Sequence, residues 1–225
     1  MEADRRVRQL RVWVLTMMGV TSMLFVGCAR LPYTTKVVYE GPLVQVALQQ
    51  EVKPAGYSHP VELMASEVAA ILRGFSHRAE QRLPLRWFAE EAPPKKLFRE
   101  DELVLLSSYL VDGLRAAGPD ERVHFQLSAP GMNPADSRTV TAGWMAIREP
   151  YLYLGIEYFQ TEIPTRKVDK YYQENPVLPP LPGTYLLFFE PGRFWVTDQK
   201  GSRGLEYRQF LKAAPVNEAQ GTSSP

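Results

Sequence analysis

The chain has 225 residues, of which 45% are hydrophobic and 23% are charged, as in globular proteins that bury an apolar core. Its formal net charge at pH 7 is only +1, which excludes a strong electrostatic attraction to nucleic acid. The single cysteine cannot form an internal disulfide, so the packing of apolar side chains has to stabilise the fold.

The amino-terminal segment combines a basic start with an apolar run. Arg5, Arg6, Arg8 and Arg11 precede a run of 15 residues from 12 to 26, VWVLTMMGVTSMLFV. This order is typical of a secretory signal. A helix of 15 residues spans about 22 Å. A permanent membrane-spanning helix is the less favoured interpretation, because the hydrocarbon core is roughly 30 Å thick. The Arg5–Arg6 pair leaves a twin-arginine signal as a further alternative.

The end of the apolar run, Leu24-Phe25-Val26-Gly27-Cys28, resembles the lipobox of bacterial lipoproteins. The resemblance implies that the Cys28 thiol is alkylated with diacylglycerol, that residues 1–27 are removed, and that the new amino terminus is acylated. Ala29, in place of Asp, implies export to the periplasmic face of an outer membrane. The alternative, an ordinary signal peptide, would leave Cys28 as a lone reactive thiol in an oxidising compartment. We therefore expect residues 28–35 to be a lipidated tether.

In the first half of the remaining chain, periodicity predicts a strand and two helices. Residues 43–52 begin with alternating valines and are predicted to form a strand. Residues 64–75 and 100–117 carry apolar side chains at helical spacing, and three acidic residues open the second helix. Between the helices, residues 83–87 alternate around Pro84, which permits an edge strand only.

From residue 122 the apolar period changes to two, which predicts strands. The predicted elements are strands at 122–127, 139–147 and 151–159, a hairpin of 185–189 with 194–197, and a strand or helix at 205–211. The predicted connections are a loop at 128–136 and a long segment at 162–183. The polar tail at 213–225 lacks periodicity and is expected to be disordered.

These elements predict an α+β fold: an antiparallel sheet of about five to seven strands with two helices packed on one face. The leucine-rich stripe at 103–114 is expected to cover that face. A single domain is expected to occupy residues 36–212.

No motif in the sequence predicts catalysis. Gly56-Tyr57-Ser58-His59-Pro60 resembles half of a Gly-x-Ser-x-Gly elbow, but the second glycine is missing and Pro60 forbids the turn that exposes such a serine. His59, His77 and His124 are far apart in the sequence, so a zinc site would need distant carboxylates. The acidic residues at 100–102 are explained by their place at a helix start. We expect no enzyme activity, no metal, and no cofactor besides the lipid on Cys28.

Other segments are candidates for contact with a partner or ligand. The predicted contact surface, for lipid headgroups or acidic sugars, is basic and aromatic and consists of Arg166, Lys167, Lys170, Tyr171 and Tyr172. The proline-rich residues 176–182 either dock as an extended helix or act as a spacer. The aromatic residues within 151–159 and 188–195 either line a ligand cleft or pack in the core of the sheet.

The anchor and the lack of catalytic groups predict a membrane-anchored envelope lipoprotein with a structural, assembly or partner-binding role. Its expected partners are the membrane, through the lipid, and another envelope protein, with no nucleic acid. The alternative is a periplasmic carrier or receptor for a lipid or small apolar ligand. A cleft above about 300 Å³ lined by the aromatic segments would favour the carrier. An exposed apolar patch over a filled core would favour partner binding.

Overall fold

The computed structural model describes residues 31–79, 93–132, 137–164 and 185–213. Within these ranges the chain forms ten strands, three α-helices and one short 3-10 helix. The strands are β1 (Tyr33–Glu40), β2 (Val44–Gln50), β3 (Phe75–Ala79), β4 (Lys95–Lys96), β5 (Glu121–Pro130), β6 (Ser137–Arg148), β7 (Tyr151–Pro164), β8 (Tyr185–Phe189), β9 (Trp195–Thr197) and β10 (Arg203–Leu205). The helices are α1 (Ala65–Gly74), α2 (Glu100–Ala116), α3 (Tyr207–Ala213) and the 3-10 helix Gly192–Phe194.

The larger sheet has seven strands in the order β1-β2-β5-β6-β7-β10-β9, and every neighbouring pair is antiparallel. Alternation along β5 sets its two faces, because successive strand side chains point to opposite sides. Val123, Phe125 and Leu127 are buried, whereas His124 and Gln126 are only partly buried. The buried face of β5 forms part of the apolar core that the helices cover.

The long helix α2 packs on the buried face of this sheet. Its buried side chains recur every three or four residues and include Leu103, Leu106, Leu110 and Leu114. The close approach requires Gly113, because a Cβ at that position would lie 2.5 Å from Val123 Cγ1. This contact fixes α2 against the centre of the sheet.

The acidic start of α2 performs structural roles. The Arg99 backbone N–H donates to Glu102 Oε2 at 2.9 Å, which satisfies one of the free donors at the helix start. Glu100 accepts three hydrogen bonds from the Arg73 guanidinium, at 2.8, 2.9 and 3.2 Å, and this pair links α2 to the end of α1. The interpretation of residues 100–102 as a helix start is therefore confirmed.

The smaller sheet has three strands in the order β4-β3-β8. It joins the main core through aromatic rings. The Phe75 ring lies 4.9 Å from Phe189 and 5.4 Å from Trp195, measured between centroids, in edge-to-face contacts. Phe189 also packs edge-to-face on Phe210 of α3, with 5.0 Å between the centroids. Strand β8 is thereby held against β9 and α3 by side chains.

The predicted α+β class and the upper count of seven antiparallel strands are confirmed for the larger sheet. The prediction of two helices is wrong, because α3 is a third helix. The sequence predicts either a strand or a helix at residues 205–211, and the structure contains one of each. Leu205 ends β10 and Tyr207 begins α3. A helix of seven residues is too short for its periodicity to identify it.

The predicted hairpin of 185–189 with 194–197 is wrong. Strand β8 pairs with β3, with Phe189 opposite Phe75, and β9 pairs with β10 in the other sheet. The 3-10 helix Gly192–Phe194 separates the two strands, and the chain changes sheets there. The apolar and aromatic composition of the two segments indicated strands but carried no information about their partners.

Several boundaries also differ from prediction. Strand β1 begins at Tyr33, inside the predicted tether. Strand β3 begins at Phe75, the last residue of the predicted helix at 64–75, and continues through residues to which no element was assigned. Strands β5 and β7 extend to Pro130 and Pro164, into the predicted connections. The predicted edge strand at 83–87 and nearly all of the tail at 213–225 lie outside the described residues.

Candidate functional site

A cleft of about 530 Å³ opens where the smaller sheet meets the end of the larger one. This volume is within the range of small-molecule sites and exceeds the threshold of about 300 Å³ set above. Strands β3 and β8 form one wall, and β7, β9 and β10 form the other. The lining residues are Arg78, Leu154, Tyr185, Leu186, Leu187, Phe188, Trp195 and Arg203.

The topology explains why the cleft stays open along β8. Within the described residues, β8 pairs with β3 on one edge and has no strand on the other. Its Phe189 end is buried in the core at 3% exposure, whereas Leu186 is 42% exposed in the cleft wall. Because the chain changes sheets after Phe189, β8 and β9 face each other without pairing. A gap between two sheet edges results.

Polar and aromatic contacts join the two walls of the cleft at its two ends. The Phe159 backbone N–H donates to Tyr185 Oη at 3.2 Å, which joins β7 to the start of β8. The His77 ring packs against Phe159, with 3.6 Å between the two ring centroids. At the other end, Trp195 packs edge-on against Phe75. Trp195 lines the cleft, and its Nε1 is buried without a hydrogen-bond partner among the described residues.

A polar cluster lies on the face of the larger sheet opposite the buried one. The Arg122 guanidinium donates to Gln49 Oε1 at 3.0 Å and to Glu157 Oε1 at 3.1 Å, and it lies 5.2 Å from the Trp144 ring centroid. His124 Nε2 is 3.3 Å from Glu157 Oε2. The hydrogen bond from His124, assisted by Arg122, lowers the pKa of Glu157. These contacts link β2, β5 and β7 through paired polar side chains.

Ser58 and His59, from the segment that resembles half of an elbow, both hydrogen-bond to the backbone of the chain itself. Ser58 Oγ accepts a hydrogen bond from the Glu149 N–H at 3.0 Å, and His59 Nε2 accepts one from the Ile147 N–H, also at 3.0 Å. Burial lowers the pKa of His59 to about 4, so this side chain is neutral at pH 7. Both residues hold the end of β6 and do not form a nucleophile–base pair with each other.

The three histidines occupy three separate environments. His59 binds the backbone of β6, His77 packs under Phe159, and His124 pairs with Glu157. Among the residues that the structure describes, no group of three or more His, Cys, Asp or Glu could hold a metal ion. None of the described helices has both the length and the apolar composition that crossing a bilayer requires.

The predicted lipidation site and the predicted contact surface lie outside the described residues. These are Cys28, Arg166, Lys167, Lys170, Tyr171 and Tyr172. The proline-rich segment 176–182 is outside them as well.

The aromatic segments divide between cleft and core. Phe188 and Trp195 line the cleft, which is the first of the two alternatives that the sequence left open. Phe189 and Phe194 are buried in the core, at 3% and 7% exposure, which is the second alternative. Sequence reasoning did not identify Arg78 or Arg203 as site residues. Each lies in a short strand with no distinguishing motif, and only the tertiary fold brings them to one cleft.

No protein-family model, curated protein sequence or solved structure matches the chain. Its function therefore has to be inferred from its own residues.

Proposed function

We propose that the protein is a non-catalytic envelope lipoprotein that holds an apolar ligand in the cleft between its two sheets. The volume and lining of the cleft carry this proposal, because five of its lining residues are leucine, phenylalanine or tryptophan. Apolar walls with a few polar groups are typical of small-ligand sites. Of the two functions that the sequence leaves open, this observation favours the carrier.

The proposed anchor would place the cleft close to a source of such ligands. Five residue steps separate Cys28 from Tyr33, where β1 begins, so the tether spans about 18 Å at most. A diacylglyceryl group with an added acyl chain gives stable membrane attachment. On this proposal the domain stays beside the periplasmic face of an outer membrane and exchanges ligand with it.

The contacts of Ser58 and His59 support a role without catalysis. A serine is activated as a nucleophile when an adjacent base accepts its proton. Here the acceptor nitrogen of His59 is occupied by the Ile147 N–H, and Ser58 accepts from Glu149. Among the residues that the structure describes, these contacts do not pair Ser58 with a base that could accept its proton.

The anchor is tested by the substitution Cys28→Ser in cells supplied with labelled fatty acid. We expect uncut precursor and no label on the variant, with label on the wild type. Normal processing of the variant, or an unlabelled wild type, would refute the lipobox.

The cleft is tested by filling it. Leu186 is 42% exposed in the cleft wall, and Leu105 is 36% exposed on α2, outside the cleft. We expect Leu186→Trp to lower the binding of an apolar fluorescent probe, because the indole would occupy ligand volume. Leu105→Trp is the matched control and should bind as the wild type does. Equal binding by wild type and Leu186→Trp, or no binding by the wild type, would refute the carrier.

Partner binding in an envelope assembly is the second candidate, favoured by an exposed apolar patch on α2. Val104 is 74% exposed beside Leu105, and Tyr109 of the same helix stacks on Tyr39 of β1 with 3.6 Å between ring centroids. A photoreactive amino acid at position 104 should crosslink one defined envelope protein if this patch binds a partner. The same group at Glu62, exposed before α1, serves as the control.

A further inference from the structure

Strand β8 presents one free edge to the cleft. On its other edge it pairs with β3, and β3 pairs with β4 in turn. In an antiparallel pair, only every second residue directs its N–H and C=O groups to the partner strand. The residues between them direct these groups to the opposite edge, which in β8 is the edge at the cleft.

One hydrogen bond fixes which residues of β8 bond to β3. The Glu190 N–H donates to the Gly74 oxygen at 3.0 Å, just beyond the end of the ladder. Because hydrogen-bonded pairs alternate with non-bonded pairs, the positions two and four residues back from Glu190 are also bonded to β3. These positions are Phe188 and Leu186.

Leu187 and Tyr185 therefore direct their main-chain N–H and C=O groups to the cleft. The same alternation requires the Phe75 carbonyl to face β4, and the Leu97 N–H does donate to it, at 3.2 Å. In the part of the chain that the structure describes, no hydrogen bond reaches the main-chain groups of Leu187 or Tyr185 on the cleft side. The cleft thus contains donors and acceptors at the spacing of a strand.

Strand β8 also lacks the features that normally protect a free edge. Exposed edges pair with other chains, and native proteins prevent this with charges, prolines or bulges. The edge strand β1 has Lys36 and two irregularities in its register with β2. The sequence of β8 is YLLFF, without charge or proline, and its register with β3 continues through five consecutive pairs. Such an edge is suited to pairing with a further strand.

The combination of a strand edge and apolar walls discriminates between ligand classes. An acyl chain lying on the edge would take the Leu187 N–H and C=O groups out of water without replacing their hydrogen bonds, which costs free energy. An extended peptide supplies a matching acceptor and donor. Its side chains alternate in direction, so one set can contact the apolar wall at Leu154, Phe188 and Trp195.

We infer that the ligand of this cleft is an extended apolar segment of another polypeptide, bound as an added strand on the free edge of β8. This inference rests on the proposed carrier function and names its ligand class. Leu187 and Tyr185 supply the backbone hydrogen bonds, and the apolar wall selects the side chains.

The test uses a fluorescent peptide of alternating valine and isoleucine with a lysine at each end. Its matched control has the same side chains, but esters replace the central amides and remove their N–H donors. The full-length lipidated protein in phosphatidylcholine nanodiscs should bind the ester about tenfold more weakly, since two backbone hydrogen bonds together contribute about one such factor. Monoolein, an uncharged lipid, should displace the peptide only weakly. Displacement by monoolein as effective as that by unlabelled peptide would identify a lipid ligand and overturn the inference.

Hydrogen exchange resolved to single amides tests the edge itself in the same nanodiscs. Before peptide is added, the Leu187 amide should exchange faster than the amides of Leu186 and Phe188, which bond to β3. Adding the peptide should slow exchange at Leu187 and leave the two neighbours unchanged. Equally slow exchange at all three amides without peptide would show that the edge is already covered, and would overturn the inference.

Substitutions at Leu187 separate its backbone from its side chain. Leu187→Pro removes the N–H that faces the cleft and keeps the bonds to β3, because proline is tolerated where a strand N–H faces away from the partner strand. Leu187→Ala is the matched control, since it shortens the side chain and retains the N–H. We expect Leu187→Pro to weaken peptide binding by more than Leu187→Ala does.

The outcomes separate this inference from the carrier function on which it rests. Equal binding of peptide and ester by the wild type, or equal affinities of Leu187→Pro and Leu187→Ala, would overturn the strand addition. The carrier would stand in that case if the apolar fluorescent probe still binds the wild type and binds Leu186→Trp more weakly. Failure of both the peptide and that probe to bind would overturn the carrier itself.

Discussion

Leu106 provides the most direct test of how α2 sits on the sheet. It lies in the middle of the helix and is fully buried in the core, at 0% exposure. Replacing it with alanine removes three carbon atoms and leaves the helix itself unharmed, because alanine is the best helix former. The neighbouring residue Leu105 is 36% exposed on the same helix. Leu105→Ala therefore removes the same atoms from a site that the core does not enclose.

The expected loss follows from the burial of Leu106. Three buried carbon atoms at about 0.8 kcal/mol each contribute about 2.4 kcal/mol of transfer free energy. The cavity left behind adds about 24 cal/mol per Å³, which brings the usual range for such changes to about 2–5 kcal/mol. For a domain of this size, a loss of about 3 kcal/mol lowers Tm by about 6–12 °C. The loss at Leu105 should stay below about 1 kcal/mol.

Urea unfolding followed by circular dichroism, with thermal melts alongside, measures both variants. The midpoint should fall for Leu106→Ala at an unchanged slope, because the surface exposed on unfolding stays the same. Equal losses at positions 105 and 106, or an unchanged midpoint for Leu106→Ala, would contradict the placement of α2.

The remaining predictions concern the helix–sheet contact and two titrating groups. Gly113→Ala should lower the free energy of unfolding by about 1 kcal/mol or more, since its Cβ would lie 2.5 Å from Val123 Cγ1; an unchanged Tm would contradict this. The His59 ring should titrate near pH 4 in the folded protein by NMR, below its ordinary 6.5, so the unfolded chain binds the proton more readily and stability falls as pH drops between these values. A folded-state midpoint near 6.5 would show that His59 is not buried as a neutral acceptor. The pKa of Glu157 is lowered from 4.5, chiefly by its hydrogen bond from His124, so its contribution is present above pH 4.5 and disappears as pH falls through the lowered value. Glu157→Gln should therefore flatten the acid limb of the stability curve, and parallel curves for variant and wild type would exclude a role for this ion pair.

Local periodicity was sufficient to predict the strands and helices in which one face is buried and the other is not. Strand β5 and helix α2 carry apolar residues at periods of two and of three to four, and both were predicted within a few residues of their observed ends. Strand β3 was missed because its five residues, FSHRA, show no alternation of apolar and polar side chains. Its stability comes from pairing with β8 and from the burial of Phe75, which are tertiary contacts.

Pairing between distant strands could not be read from the sequence. The strands β8 and β9 are separated by a short turn-like segment, and two strands so joined usually form a hairpin. In this protein the 3-10 helix Gly192–Phe194 intervenes, and Phe189 turns into the core between Phe75 and Phe210. The burial of that ring favours the smaller sheet over a local hairpin.

The candidate site was predictable only in part. The aromatic composition of 188–195 indicated either a cleft or a core, and the structure assigns Phe188 and Trp195 to the cleft. Arg78 and Arg203 are separated by 125 positions in the sequence, counted from their residue numbers, and only the meeting of the two sheets places them on one cleft. A single sequence contains no signal for such a juxtaposition.

The central claim, an anchored lipoprotein that carries an apolar ligand in its cleft, is tested most directly by native mass spectrometry of the protein released from its own membranes. The account predicts a covalent diacylglyceryl mass on Cys28 together with a dissociable apolar ligand, and it predicts that Leu186→Trp retains the first mass and loses the second. A protein without the covalent mass, or one whose bound ligand is unaffected by Leu186→Trp, would contradict it.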